Sequence, residues 1–219
     1  MTLVFIISGP AGAGKTTLCR NLVARYGHLF AYAVTTTTRP PRTREVDGRD
    51  YHFVDRATFQ DRLSRNVFCE HSTVHGQHLY GLSNEELRRH LAAGKNALVT
   101  MDLCGATALQ KLSRTEPDHP LYGRTVSLFL LPPPVEELQT RIMRRENATA
   151  EEIERRLRSM RDELRGAANY DYLLPPTTQA NATRNFLHIY EAEQMRNRRP
   201  FSSDRSPVFC PGESSCGSC

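Results

Sequence analysis

Short apolar runs and longer amphipathic segments alternate along the 219-residue chain. The runs 3–8, 96–102 and 125–131 each have the length of a strand; Gly94 precedes the second, and Pro132 follows the third. Apolar runs of this length, bounded by turn residues, are typical of strands buried on both faces of a parallel sheet. Because helical segments separate them, the pattern predicts an α/β protein with a doubly wound parallel sheet.

Two capping patterns locate helices. Ser83-Asn-Glu-Glu86 places a serine at an N-cap with glutamate three residues later, and the segment ends at Gly94, which predicts a helix over 83–93. Thr149-Ala-Glu-Glu152 repeats the pattern before an apolar stripe at helical spacing. The stripe consists of Ile153, Leu157, Met160 and Leu164.

Two segments interrupt this alternation. The first is rich in threonine, aromatic residues and short extended stretches, which predicts a β-rich lobe. The second contains two arginine-rich helical stretches with a polar join at 146–149, a composition typical of a mobile lid. After these, Ser, Pro, Gly and Arg dominate and predict a disordered tail. We therefore predict a core from residues 1–34, 83–131 and 164–195, a lobe at 35–82, a lid at 132–163 and a tail at 196–219.

Charge changes this picture little. The chain has 29 Lys and Arg against 24 Asp and Glu, but its most arginine-dense stretch, 134–165, has eight arginines and eight acidic residues. This balance indicates an ion-paired helical surface, and we expect no nucleic-acid partner. No apolar stretch approaches the length of a membrane span, so we expect no membrane association.

The expected location is cytoplasmic. The first apolar run lacks the basic flank and cleavage site of a secretory signal. Cys19, Cys69 and Cys104 stand isolated in apolar surroundings, which predicts core thiols in a reducing compartment. Either a monomer or a homodimer is compatible with the sequence.

One motif carries strong chemical meaning. Residues 9–16 form a complete GxxxxGK[ST] phosphate-binding loop, between the first predicted strand and a helix that extends to about Tyr26. The glycines let backbone N–H groups converge on phosphate, Lys15 supplies charge for the β- and γ-phosphates, and the Thr16 hydroxyl can bind Mg²⁺. The sequence thus predicts binding of a nucleoside triphosphate with Mg²⁺. The predicted ATP-binding residues are Gly9, Pro10, Ala11, Gly12, Ala13, Gly14, Lys15, Thr16 and Thr17.

Further motifs follow in a fixed order. Thr35-Thr-Thr-Thr-Arg-Pro-Pro-Arg42 is followed by Tyr51-His-Phe-Val54, Phe68-Cys-Glu-His71, Val74-His-Gly76 and Tyr80-Gly81, and the arginine-rich helices come later. From about residue 3 to residue 190, this arrangement resembles the guanylate kinase family. The resemblance implies a P-loop nucleoside monophosphate kinase fold, in which the β-rich lobe binds GMP and the helical lid closes over the nucleotides.

The resemblance also implies a role for individual residues. Arg39, Arg42 and Tyr51 would hold the GMP phosphate, for which planar guanidinium groups are well suited. Glu70 would accept from the N1–H and amine of guanine, a pair of donors that adenine lacks. The implied GMP-binding residues are Thr35, Arg39, Arg42, Tyr51, Glu70, Tyr80 and Asp102.

The implied reaction transfers the γ-phosphate of ATP to GMP, giving ADP and GDP. The attacking phosphate oxygen is already anionic, so catalysis needs alignment and charge neutralisation rather than a general base. Mg²⁺ would bind Thr16, with Asp102 organising it through water, and the lid arginines would approach from the other side. The implied catalytic residues are Lys15, Arg39, Arg141, Arg145 and Arg156.

The chain departs from the family pattern at four places. Thr100 stands where the family has the first aspartate of Asp-x-Asp, Cys104 where it has glutamine, and Leu82 where it has threonine or serine. Pro175-Pro176 stands where an asparagine commonly lies near the adenine. These differences concern nucleotide affinity and base selectivity, whereas the residues implied in phosphoryl transfer are present.

Two other functions remain open. One is a P-loop kinase with a different phosphorylated acceptor, such as ribose 1,5-bisphosphate; Glu70 argues against it, since a sugar phosphate needs no carboxylate that recognises guanine. The other is a non-catalytic, guanylate-kinase-like binding module, against which the intact Lys15-Thr16 pair and the lid arginines argue.

Overall fold

Strands and helices alternate through most of the chain. The computed structural model of the protein describes residues 2–74, 77–146 and 150–196, and only some of the side chains between 141 and 159. The described strands are β1 (Val4–Ser8), β2 (Phe30–Tyr32), β3 (Thr36–Thr37), β4 (His52–Phe53), β5 (Phe68–Val74), β6 (His78–Ser83), β7 (Asn96–Thr100), β8 (Thr125–Leu130) and β9 (Tyr172–Leu174). The described helices are α1 (Lys15–Tyr26), α2 (Arg56–Ser64), α3 (Asn84–Ala92), α4 (Leu103–Thr115), α5 (Val135–Glu146), α6 (Ala150–Gly166) and α7 (Gln179–Met195), with a 3₁₀ turn at Ala167–Asn169.

Five strands form a parallel sheet in the order β2-β7-β1-β8-β9. Alternate residues of β1 supply opposite faces: Phe5 and Ile7 belong to a cluster with residues of α1 and α7, whereas Val4 and Ile6 belong to one with residues of α3 and α4. The predicted doubly wound parallel sheet is confirmed. Since successive strands run in the same direction, their carboxyl ends meet at one edge, where the phosphate-binding loop also lies.

The strand predicted over 96–102 ends earlier, at Thr100. Asp102 is instead the N-cap of α4, and its carboxylate accepts from the Gly105 N–H at 2.7 Å. An aspartate at this position satisfies one of the otherwise unpaired N–H groups of a helix start. This correction places Asp102 at the start of a helix, where its side chain is fixed.

A second sheet has the order β4-β3-β6-β5. Its strands lie within the segment predicted to be β-rich, except that β6 ends one residue beyond it, at Ser83. The segment also contains α2, which the sequence reasoning missed. Asp55 caps α2 by accepting from the Thr58 N–H at 2.6 Å. The sequence Asp55-Arg-Ala-Thr58 was therefore an available signal for a helix start.

Helices α5 and α6 occupy the region of the predicted lid. Leu138, Leu157, Met160 and Leu164 pack together between them, which confirms three of the four members of the predicted stripe. Helix α6 continues to Gly166, so the predicted boundary at residue 163 falls inside a helix. The predicted cap at Thr149, the side chain of Ile153 and the tail from residue 197 onward lie outside the described residues. None of the helices described is long and apolar enough to cross a membrane.

Candidate active site

The phosphate-binding loop joins β1 to α1. Gly9, Gly12 and Gly14 have φ values of +135°, +85° and +100°, a region that favours glycine. A Cβ on Gly9 would lie 2.4 Å from the carbonyl oxygen of Leu130 in the neighbouring β8, so only glycine fits there. Gly14 is the N-cap of α1 and offers no side chain to its first N–H groups. These N–H groups, at the positive end of the helix, provide an anion-binding site.

Lys15 lies over its own loop. Its ammonium group donates to the carbonyl oxygen of Gly9 and, at 3.1 Å, to that of Pro10. Thr16 follows in the first turn of α1 and is half-buried. The loop therefore combines backbone donors, a positive charge and a hydroxyl group, which together can bind the phosphates of a nucleotide.

Arg39, Tyr51 and Tyr80, predicted from separate motifs, come together on the second sheet. The Arg39 guanidinium lies 5.4 Å from the ring centroid of Tyr51, and its Nε donates to the Tyr80 hydroxyl at 3.2 Å. Its Nη2 donates to both carboxylate oxygens of Glu45, at 2.9 and 2.7 Å. Glu45 also accepts from the backbone N–H of Arg42 at 2.9 Å. The carboxylate of Glu45 therefore lies against Arg39 and the backbone of Arg42, where the resemblance places the GMP phosphate.

Sequence reasoning missed Glu45, although an acidic residue shortly after two arginines was a signal for an internal ion pair. Arg39 and Glu45 are each only 12% exposed, so their pair is well shielded from solvent. A phosphate arriving at Arg39 must therefore share the guanidinium with Glu45 or displace it.

Thr35 and Glu70 each bury a polar atom without a partner. Among the residues described, Thr35 Oγ1 and Glu70 Oε2 have no hydrogen-bond partner, and the two residues are 4% and 6% exposed. Burial, together with the nearby charge of Asp102, raises the pKa of Glu70 to about 8. Buried polar atoms are almost always paired, because leaving one unpaired costs about 1–3 kcal/mol. Both residues belong to the predicted GMP-binding set, and each offers a buried polar atom with which a ligand could form a hydrogen bond.

Comparison with known proteins identifies the family. The family model described as guanylate kinase matches residues 1–191. The chain belongs to the guanylate kinase family. It is 35% identical to guanylate kinase of Nitrosomonas europaea, over 95% of this chain and 98% of that protein. It is 38% identical to guanylate kinase of Syntrophotalea carbinolica, over 90% and 89%. The crystal structure of guanylate kinase from Anaplasma phagocytophilum superposes with a TM-score of 0.69 at 26% identity, covering 90% of this chain and 89% of that one.

Asp102 lies beside Glu70 in this guanylate kinase family member, and both its oxygens accept hydrogen bonds. Oδ1 accepts from the Gly105 N–H at 2.7 Å, and Oδ2 accepts from the Ser72 hydroxyl at 3.1 Å. Ser72 was missed, although it follows Glu70 by two residues and so lies on the same face of β5. These contacts occupy both oxygens of Asp102, and they lend no support to its predicted place near Mg²⁺.

The donor set fits Mg²⁺ only together with a nucleotide. The described residues contain no group of three or more His, Cys, Asp or Glu arranged for a metal ion. Mg²⁺ is commonly bound by one or two protein oxygens, phosphate oxygens and water. Thr16, beside the anion-binding end of α1, suits that mode of binding.

Three of the departures from the guanylate kinase pattern have a clear structural setting. Thr100 Oγ1 lies 2.7 Å from the Tyr32 hydroxyl, so a neutral pair stands where the family has an aspartate. Leu82 is fully buried in an apolar cluster. Cys104 is exposed, and its prediction as a core thiol is wrong, because it lies in the first turn of α4 on the side facing solvent.

The proline pair borders a small cavity beside the phosphate-binding loop. Pro175 and Pro176 line it together with Ala13, Leu131 and Thr177, and its volume is about 40 Å³. Its lining is mostly apolar. A cavity of this volume has room for only a few water molecules, and its two prolines supply no side-chain amide.

The three predicted lid arginines belong to two helices. Arg141 lies in α5 and Arg156 in α6, and Arg145 follows Arg141 by one helical turn. Their side chains are outside the described part of the chain. Their roles remain predictions.

Proposed function

We propose that this protein transfers the γ-phosphate of ATP to GMP, giving ADP and GDP, with Mg²⁺ as cofactor. The observation that carries the proposal is the pair of unpartnered buried atoms, Thr35 Oγ1 and Glu70 Oε2. Guanine offers N1–H and amine donors to a carboxylate, and its carbonyl can accept from a hydroxyl. The family membership and the names of the relatives support the same reaction.

The second sheet also connects the residue proposed to bind guanine with the residues proposed to bind the phosphate of GMP. Ser72 pairs with Tyr80, and Tyr80 pairs with Thr37, so the strand that carries Glu70 is joined to the segment that carries Arg39. A monophosphate held by Arg39, Arg42 and Tyr51 would thus lie on the same sheet that binds its base. This arrangement favours a nucleoside monophosphate over ribose 1,5-bisphosphate, because the sugar phosphate has no base whose N–H donors a buried carboxyl would recognise.

On the donor side, the phosphate-binding loop supplies backbone N–H groups and Lys15. Lys15 would exchange its contacts with Gly9 and Pro10 for the β- and γ-phosphate oxygens. When bound, Mg²⁺ would supply further neutralisation of the phosphate charge beside Thr16. Arg141, Arg145 and Arg156 would complete the charge neutralisation as residues 132–163 close over the substrates and exclude water.

This mechanism divides the chain into a core that binds ATP, a GMP-binding lobe at 35–82 and a lid at 132–163. Its reactants and products are small nucleotides, so the proposal requires no nucleic acid or membrane. We place the reaction in the cytoplasm.

The test is ADP production from ATP and Mg²⁺ in a coupled assay, with GMP, dGMP, AMP, CMP, UMP and ribose 1,5-bisphosphate as acceptors. We expect strong stimulation by GMP and weak stimulation by AMP. ATP binding without any response to GMP would overturn the proposed acceptor, and stimulation by ribose 1,5-bisphosphate would assign the other kinase. Failure to bind ATP would indicate a non-catalytic module.

A further inference from the structure

Gly105 lies where the two carboxyl groups of the site meet. It is the third residue of α4, and its N–H donates to Asp102 Oδ1 at 2.7 Å. A Cβ built on Gly105 would lie 2.7 Å from Glu70 Oε2 and 3.2 Å from Glu70 Cδ. The Glu70 carboxyl therefore occupies the space that a side chain at position 105 would fill.

The backbone at Gly105 does not require glycine. Its φ is not in the left-handed region that sets apart other glycines of the chain, such as Gly12 and Gly14, and its position is helical. Alanine in a helix is favoured over glycine by up to about 1 kcal/mol. Since local stability would favour alanine here, the absence of a side chain calls for another explanation.

We propose that Gly105 is a positioning residue for guanine selectivity: because it has no Cβ, the Glu70 carboxyl can lie against the first turn of α4, beside Asp102, and accept from guanine there. This inference rests on the proposed function. Gly105 has no side chain to contact the base, so its proposed role acts through the position of the Glu70 carboxyl.

The expected steric conflict is confined to Glu70. The nearest atoms to a Cβ at position 105 are Glu70 Oε2 and Cδ, followed by Asp102 Oδ1 at 3.4 Å. The Glu70 carboxyl is the end of a flexible side chain; Oε2 has no hydrogen bond, although the carboxyl also accepts from the backbone of Leu82, a contact that its displacement would weaken. Alanine at this position should therefore move the Glu70 carboxyl and leave the fold intact.

The experiment compares Gly105→Ala with wild type, and uses Thr107→Ala as the matched control. Thr107 is exposed on the same helix, and its hydroxyl donates to the Leu103 carbonyl oxygen at 2.8 Å. For Gly105→Ala we expect the KM for GMP to rise about tenfold to a hundredfold, the range for loss of a hydrogen bond to a charged group. The KM for ATP should stay within about twofold, and the preference for GMP over AMP should fall. Thr107→Ala should leave all three unchanged.

A double-mutant cycle tests whether Gly105 acts through Glu70. Adding Gly105→Ala to Glu70→Ala should cause little further change in the preference for GMP, because the displaced group is already absent. Equal losses in both backgrounds, an unchanged KM for GMP, or a Gly105→Ala protein that does not fold would each overturn the proposal. Wild-type protein that does not respond to GMP would instead contradict the proposed function itself.

Discussion

At the scale of single residues, the proton on Glu70 should control guanine binding. Burial and the charge of Asp102 raise the pKa of Glu70 to about 8, so the free protein holds this carboxyl mostly protonated at neutral pH. Guanine donates through N1–H and its amine, and both donors require the ionised carboxylate. We expect the KM for GMP to fall as the pH rises from 6 to 8, by up to about tenfold per unit. Steady-state kinetics at saturating ATP will measure this dependence.

Glu70→Gln is the control, because it removes the titrating group and keeps the side-chain shape. Its KM for GMP should be high and independent of pH over the same range. A wild-type KM that does not change between pH 6 and 8 would show that the protonation of Glu70 does not limit guanine binding.

Lys15 gives a second prediction at this scale. Its ammonium group is the charge that the phosphate-binding loop presents, so Lys15→Ala should lower kcat by about 10²–10³-fold or more, as expected for loss of a group that stabilises developing charge. Lys111→Ala offers a matched control, since Lys111 is exposed on α4. If both variants retained full activity in the coupled assay, the loop would not be the site of transfer.

At the scale of elements, Asp50 connects the segment from Arg39 to Tyr51, which is proposed to bind the GMP phosphate, to α1. Its Oδ1 accepts from Arg20 of α1, and its Oδ2 accepts from the Val46 N–H at 3.0 Å. Asp50 is 7% exposed and the Arg20 side chain 59% exposed, so the link joins a buried carboxylate to a guanidinium at the surface. Asp50→Asn should loosen the segment from Arg39 to Tyr51 and raise the KM for GMP about threefold to tenfold, with the KM for ATP unchanged.

Asp61→Asn is the control for that change. Asp61 pairs with Arg65 on α2, and both side chains are more than 60% exposed, a setting in which an ion pair contributes little. Asp61→Asn should therefore leave the KM for GMP near the wild-type value, whereas Asp50→Asn should raise it. Equal KM values for GMP in Asp50→Asn and wild type would exclude a positioning role for Asp50.

The elements that the sequence predicted well are those with strong local signals. Gly9 follows β1 directly and Pro132 ends the apolar run of β8, and the serine cap of α3 accepts from the Glu86 N–H at 3.1 Å, as its pattern indicates. The Glu86 side chain does not complete the capping box; it is buried and accepts from the Val34 N–H at 3.0 Å. That contact joins residues 52 positions apart in the chain, so no local pattern contains it. The same reason explains why the contact of Ser72 with Asp102 and the space at Gly105 were found only in the structure, whereas Glu45 follows Arg39 closely in the chain and had a local signal.

At the scale of the whole molecule, ionising the buried Glu70 lowers the free energy of unfolding. A carboxyl whose pKa is higher in the folded than in the unfolded protein stabilises the fold below its unfolded pKa, and this contribution is lost as the pH rises through the folded pKa. For Glu70 these limits are the ordinary value of 4.5 and the raised value of about 8. The free energy of unfolding of wild type should therefore decrease between pH 5 and 8, relative to a protein without this group.

Glu70→Gln should consequently become the more stable protein as the pH rises, by about 2 kcal/mol at pH 8, since each pKa unit corresponds to about 1.4 kcal/mol and part of the shift is relieved by local rearrangement. Urea unfolding at pH 5, 6.5 and 8 will measure the difference. Glu85→Gln removes an exposed carboxyl from α3 and controls for the change in net charge. Saturating GMP should reverse the order at pH 8, because it stabilises only a folded protein that can bind it. A stability difference that stays constant from pH 5 to 8 would show that Glu70 is ionised throughout. The opposition between stability and guanine recognition would then not exist in this protein.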